Sequence, residues 1–462
     1  MTQDLTGDVL TRDTNWLKSE VLRHTLRPLS AQDEAMGDLP QIMATGDGVY
    51  VTDVDGQRMI DCVGGLWCVN VGYARDEIID AMYSQLKQLS FMSIFPGRAN
   101  APSIALSNKV CEIAQQENIS KVFFGSNGSD AVENALKLSR QYWKILGKAE
   151  KVKFLSLRGG YHGTHFGGMA ANGLDSAMRR SYEPMMPGFF SVETFDSYRP
   201  LLGLDPETQV DLCIQLLKRE IEYQSPETIA ALIAEPVQGG GGMHQPPARY
   251  WQELRQICDQ YDILLVSDEV VTGFGRTGSM FGARGWGVKP DIMCCGKGIS
   301  GGYSPLSATL LSERVASAWD TQSEHSFVAS GYTHSGNPVS CAAGVAALDI
   351  VVRENLVENA RVVGDYFLQE LKPLIDRHET VGDVRGKGLM LTVEMVKNKE
   401  TKEAFGHEDS YPSDISRFCT KNGVSLRQAG HKFIISPPLT FTRDHVDEVV
   451  QVLDAAYRTV SR

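Results

Sequence analysis

KVFFGSNGSDAVENALKLSRQYWKIL, residues 121–146, decides how the rest of the chain is read. Residues 121–125 are a short, mostly apolar run of the kind a buried strand needs. From 129 to 146 the apolar positions Ala131, Ala135, Leu138, Tyr142 and Ile145 step by four, three, four and three, the spacing of one helix face. A Gly-containing turn, SNGSD (126–130), joins the two. Working outward, further buried-strand patterns occupy 151–157, 228–237, 263–266, 291–295 and 306–311, and a helical pattern occupies 249–261. Continuous apolar strands alternating with helices predict an α/β domain whose mostly parallel sheet is covered on both faces.

The C-terminal third has a different rhythm. Helices are expected at 341–353, 357–377 and 443–457, the last with Val446, Val449, Val450, Leu453 and Tyr457 in phase. Short strands at 389–395 and 432–437 separate them, which predicts a smaller α+β unit. The expected division is 71–335 for the large domain and 336–462 for the small one, with 1–70 joining the small unit. A chain of 462 residues is long enough for two to three folding units.

The net charge of −12 argues against nucleic acid or an anionic membrane surface as partner, since both need a basic patch. Residues 1–20 lack a basic region followed by an apolar run, so no signal peptide is expected. No stretch approaches the roughly 18–20 apolar residues of a membrane span. The nine cysteines are scattered and odd in number, unlike a disulfide framework or a zinc ribbon. Adjacent Cys294 and Cys295 lie in an apolar run and read as buried free thiols rather than a redox pair. A cytoplasmic protein is expected. Glycines cluster at strand ends, which suggests a site built from loops over a sheet.

Three features carry chemistry. The SNGSD turn at a helix N-terminus offers unpaired N–H groups and the positive end of the dipole, which suits a phosphate; alternatively its side chains only cap the helix. In ILLVSDEVVTGFGRTG (263–278), Asp268 and Glu269 sit at a strand's C-terminal end, where open α/β sheets place ligand-binding groups. A buried carboxylate there must be neutralised, and a protonated pyridine nitrogen would suit Asp268. In DIMCCGKGISGG (291–302), Lys297 follows an apolar strand between Gly296 and Gly298. Low-dielectric surroundings lower a lysine's pKa, and Schiff-base chemistry needs the uncharged amine. Together these are the three contacts that pyridoxal 5′-phosphate (PLP) demands, for its phosphate, its ring nitrogen and its aldehyde carbon.

Two competing motifs fail on context. Gly273, Gly275 and Gly278 match G-x-G-x-x-G, but the following SMFGARGWG is too glycine-rich for the helix a dinucleotide site needs, and Asp291 comes too early. Gly298-Ile299-Ser300-Gly301-Gly302 matches a hydrolase elbow, but YSPLSATLL after it reads as a loop entering a strand.

From about residue 45 to the C-terminus the chain resembles the class III (fold-type I) PLP-dependent aminotransferases of the ω-amino acid or amine:pyruvate group. GVYVTDVDG, GGLWCVNVGY, FFGSNGSDAVENALKL, RGGYHG, AEPVQGGGG, SDEVVTGFGRTG, GKGISGG, YTHSGNP and VRGKGLM occur in family order. The resemblance implies a seven-stranded sheet in the large domain and a Schiff base on Lys297, which also moves protons. It further implies Asp268 on the pyridinium, Gly128 and Ser129 on the phosphate, and Tyr161 and Val270 on the two ring faces. Thr333 would contact the phosphate in a neighbouring subunit, implying a homodimer with shared sites; pairing of dimers into tetramers stays open. Trp67 would line the amine pocket, or is an ordinary core tryptophan. Arg427 would bind a substrate carboxylate through its planar fork, or is an exposed loop arginine. His162 and His165 could suggest a metal, but the family has none there.

One departure bears on the acceptor. Ornithine and 4-aminobutyrate members carry a second glutamate after the E-P-I-Q motif, pairing with the arginine and switching it between substrates. Here the motif starts at Glu235 and that position is Gly240, which favours pyruvate over 2-oxoglutarate. The expected activity is ping-pong transamination from an amine to pyruvate, with (S) preference implied by the resemblance. Other expectations within the fold are an aminomutase, decarboxylase or racemase. Taurine, β-alanine, putrescine or an aromatic amine would each fit as donor.

Overall fold

The computed structural model describes residues 13–29, 40–174, 178–406 and 408–461. Residues 1–12 and 30–39, part of the segment expected to join the small unit, lie outside the described residues. The central sheet has seven strands, in the order Ile119–Gly125, Ser307–Ser312, Ile292–Cys295, Leu264–Asp268, Ile229–Ala234, Lys153–Leu157 and Phe189–Val192. Every side chain of Ser307–Ser312, Ile292–Cys295, Leu264–Asp268 and Ile229–Ala234 is buried, which is why these strands read as unbroken apolar runs.

Successive residues point to opposite faces, so each strand feeds two cores. Leu264 and Val266 join Ala131, Ala135 and Leu138 of the Gly128–Ile145 helix. Leu265 joins Leu217 of the Pro206–Gln224 helix and Trp251 and Leu254 of Ala248–Gln260. Only Ser307–Ser312 runs antiparallel to its neighbours. The 296–306 connection before it is shorter than the roughly dozen residues a parallel crossover needs. Two reversals leave Ile119–Gly125 parallel to Ile292–Cys295, so six strands end on one edge. That edge carries the site.

Two smaller sheets flank this one. Met43–Asp47, Tyr50–Asp53 and Arg58–Asp61 pair antiparallel, and Val424–Ser425 adds parallel to the last of them. Val381–Gly386, Leu391–Asn398, Lys432–Ile435 and Arg427–Ala429 follow in that order, all antiparallel, with Glu403–Ala404 on Leu391–Asn398. Chain ends far apart in sequence therefore share a sheet. Residues of Pro338–Arg353, Leu356–Leu371 and Arg443–Thr459 fill one core with both sheets.

Some expectations differ in detail. The helix expected at 357–377 is two, Leu356–Leu371 and Pro373–Arg377, because Pro373 has no N–H to continue the ladder and begins a new helix. The glycine-rich 279–287 stretch contains one helical turn, Gly282–Gly285. Pro206–Gln224, Asp76–Gln88 and Ala101–Ile113 are helices the sequence reading passed over.

Candidate active site

At the strand-end edge lies a cavity of about 120 Å³. Six of the expected site residues line it: Gly128, Ser129, Tyr161, Asp268, Val270 and Lys297. Trp67, Arg427 and Thr333 do not.

Lys297 leaves its strand through an abrupt backbone. Gly296 is extended, Lys297 has φ +45, and a single 3-10 turn, Lys297–Ile299, follows. A left-handed residue other than glycine costs about 1–2 kcal/mol and persists only where its surroundings impose it. Here Gly298 lies so close to Asn70 that a Cβ would fall 2.3 Å from Nδ2. Asn70 in turn donates to Phe274 O at 3.1 Å and accepts from Arg276 at 2.8 Å. Burial pushes the Lys297 amine below the usual lysine range; Cys68, Asp268 and Glu235 oppose this, and Arg427 adds to it. The result favours a neutral amine.

The neighbouring acids Asp268 and Glu269 separate, as adjacent strand residues must. Glu269 turns from the cavity and is saturated: it accepts from Ser267 and Thr272 hydroxyls and from the N–H groups of Gly282 and Ala283. Burial raises its carboxyl pKa. Asp268 meets His162 Nδ1 at 2.8 Å, both side chains being buried, and accepts the Val270 N–H at 3.1 Å. The sequence reading had weighed His162 only as a metal ligand. Its partner lies 106 residues away on another strand end, so no local pattern exposes the pair.

Glu235 was likewise noted only as the start of a motif. It is buried, and its two oxygens accept the N–H groups of Tyr161 at 2.8 Å and Gly239 at 2.9 Å. Burial pushes its carboxyl up to about 7, against the opposing pull of His162. Glu235 thus ties the loop bearing Tyr161 to the loop bearing Gly240.

The SNGSD turn divides its labour. Asn127 caps the helix, accepting the Asp130 N–H at 3.0 Å. Gly128 and Ser129 occupy the first turn, whose N–H groups have no intrahelical acceptor. Ser129 Oγ accepts the Thr164 N–H at 3.1 Å, which leaves its own proton to donate elsewhere. A Cβ on Gly128 would fall 2.6 Å from Val270 Cγ1, so only glycine lets turn and strand approach this closely. A phosphate-type turn, Tyr161 and Val270 on one cavity, a strand-end carboxylate and an amine whose pKa burial lowers make a donor set that fits PLP.

The remaining three expected residues lie outside this lining. Trp67 has φ +64 and is buried, its Nε1 without a hydrogen-bond partner among the described residues. Its turn is held by Asp61, which accepts from Val63 and Gly65 N–H and from Tyr73 Oη. Arg427 is half-buried, forms no ion pair among the described residues, and interacts electrostatically with Tyr161 and Lys297. Burial lowers its pKa. Thr333 lies on an exposed turn away from this cavity.

Comparison with known proteins agrees with this chemistry. The family model for aminotransferase class-III matches residues 31–457. A diaminobutyrate–2-oxoglutarate transaminase of Halomonas elongata is 36% identical, with 93% of each chain covered. A taurine–pyruvate aminotransferase of Bilophila wadsworthia is also 36% identical, over 92% of this chain and 93% of that one. Among solved structures, a PLP-bound amine transaminase from an uncultivated Pseudomonas species superposes with a TM-score of 0.92 at 44% identity, over 94% of this chain and 98% of that one. The chain belongs to the class-III aminotransferases, and its cofactor is pyridoxal 5′-phosphate.

Proposed function

We propose that the enzyme moves the amino group of a primary amine or ω-amino acid to pyruvate, leaving an aldehyde or ketone and L-alanine in two half-reactions at one site. The observation that carries this is the convergence of Lys297, Asp268 and the Gly128–Ser129 turn on one cavity, with the unpaired Arg427 in electrostatic reach. Bound PLP supplies the electron-withdrawing ring that makes a donor's α-proton removable. Lys297 Nζ, whose pKa burial lowers, would take that proton and later return one to the α-carbon of alanine. Asp268, oriented by His162, would hold the ring nitrogen of bound PLP. Gly128 and Ser129 would hold the phosphate, and Tyr161 and Val270 would pack on the ring. Trp67 walls the amine side, and Arg427 receives the carboxylate of the keto acid through two parallel bonds.

Pyruvate is favoured over 2-oxoglutarate because Gly240 offers no carboxylate to draw Arg427 aside. A Cβ at Gly240 would lie 3.2 Å from Tyr161 Cβ, leaving little room for a longer side chain. We assign the cavity to a large domain of 71–335, and 1–70 with 336–462 to a smaller one. We also assign a homodimer. Ile79, Tyr83, Leu86, Phe91, Phe95 and Ile104 are all exposed. Phe91 stacks edge-on to His334 at 5.2 Å, next to Thr333, so a neighbour packed over Phe91 would bring Thr333 toward that neighbour's phosphate. A cytoplasmic location suits nine free cysteines. The test is a donor panel against pyruvate and 2-oxoglutarate, scored by alanine and glutamate formation. Alanine should dominate; glutamate alone would overturn the acceptor, and neither product with any donor would overturn the reaction.

A further inference from the structure

Residues 239–242 are four consecutive glycines, and such a run does not hold its own shape. Within it, Gly242 N–H donates to Gly239 O at 3.1 Å, closing a turn. The turn touches both aromatic walls of the cavity region. A Cβ on Gly239 would fall 2.3 Å from Trp67 Cζ3, and one on Gly240 would meet Tyr161. Wherever this backbone moves, those two rings must follow.

Glu235 holds the turn from the central sheet through the Gly239 N–H. Two of its carbonyls, on half-buried Gly241 and buried Gly242, are held from the other side. Gly242 O accepts Arg385 Nε at 2.8 Å, and Gly241 O accepts Lys432 Nζ at 3.2 Å and His244 Nε2 at 3.0 Å. The approach is so close that a Cβ on Gly242, whose φ is +123, would lie 2.6 Å from Lys432 Nζ.

The two cations are themselves fixed by strand geometry. Asp383 and Arg385 sit two apart on one strand, and Glu394 lies opposite Asp383 on the next, so all three share a face. Arg385 forks onto Asp383 and Glu394, each at 2.6 Å, while Glu394 also meets Arg199 and, at 3.2 Å, His431. Lys432 stands beside these groups without an ion pair of its own among the described residues. Burial, with Arg385 and Arg199, pushes it down to about 8, while Asp196 opposes.

We propose that Arg385 and Lys432 are positioning residues, which reach across from the Val381–Gly386 and Lys432–Ile435 strands and hold the glycine turn so that Trp67 and Tyr161 keep the shape of the amine pocket. This deepens the proposed function, since it takes the cavity as the site of amine binding. Neither residue touches the cofactor turn or Lys297, so their loss should affect substrate fit and leave cofactor binding unchanged.

The test compares the parent holoenzyme with Lys432→Met and Arg385→Lys. Lys432→Met strands no carboxylate and removes a cation that burial opposes, so it should fold, and it decides the matter if Arg385→Lys does not. Amide exchange in the peptide spanning 238–244 should quicken about ten-fold. KM for the amine donor should rise about five-fold with kcat within about two-fold, and the cofactor's absorbance should be unchanged. Unchanged exchange overturns the clamp. Faster exchange with an unchanged KM, or loss of cofactor together with a lower unfolding temperature, shows a structural role instead and also overturns it. Should the parent transfer no amino group at all, the proposed reaction fails, while the exchange measurement still judges the clamp.

Discussion

Asp268 and Glu394 are both buried carboxylates, yet their surroundings are opposite. Glu394, fully buried, is surrounded by Arg199, Arg385 and His431. Asp268 has one imidazole and one backbone N–H, and beyond them it faces a cavity. A charge whose acceptor capacity is filled by the protein holds elements together. A charge with capacity left over is available to something that arrives later. Lys297 and Arg385 contrast in the same way, one without an ion pair among the described residues and the other with three donors engaged.

The sharpest way to break this contrast is Lys297→Ala. It should reduce turnover by about a thousand-fold or more with the circular dichroism spectrum unchanged; retained activity would remove the basis for the site. Next come the two acids, each replaced by its amide. Asp268→Asn should lower kcat by about a hundred-fold or more while leaving the denaturation midpoint nearly unmoved. Glu394→Gln should do the reverse, losing about 2–3 kcal/mol of stability because buried Arg385 keeps only Asp383 as a carboxylate partner. If both variants lose the same property, the two carboxylates are not different in kind.

Glu235 is the intermediate case. Its pKa is raised from 4.5 to about 7 by burial, so between those values the folded protein keeps a proton that the unfolded chain has lost. Its contribution therefore weakens the fold as pH rises, by about 3 kcal/mol across that window, and is constant above it. Chemical denaturation between pH 4 and 8 should show a smaller slope in Glu235→Gln; an equal slope would place the titration elsewhere. The smallest effect belongs to Arg427→Met, which should raise KM for pyruvate about ten-fold and leave KM for an amine without a carboxylate unchanged.

What could be read in advance follows from how local the cause is. The central strands were legible because burial on both faces removes polar residues from them. Lys297 and Asp268 stand out in the sequence because each closes or follows an apolar strand next to glycines or a second acid. The Pro206–Gln224 helix was legible too, with Asp205 as cap, Pro206 at its first position and Val210, Ile214, Leu217 and Ile221 in phase, and was passed over. The break at Pro373 needed only the missing N–H. The His162–Asp268 bond, the Glu235 tie and the Arg385–Glu394 fork were of another kind. Each joins residues whose meeting depends on which strands lie side by side, and no window of sequence contains that.

The left-handed backbone at Lys297 has a consequence for protein engineering. Glycine is the residue this conformation suits, so Lys297→Gly should be more stable than Lys297→Ala by about 1 kcal/mol, with neither expected to turn over. The working enzyme then lies below the stability its own fold could reach. Selections for thermal tolerance alone would tend to discard this lysine, and any such campaign must screen for turnover in the same step.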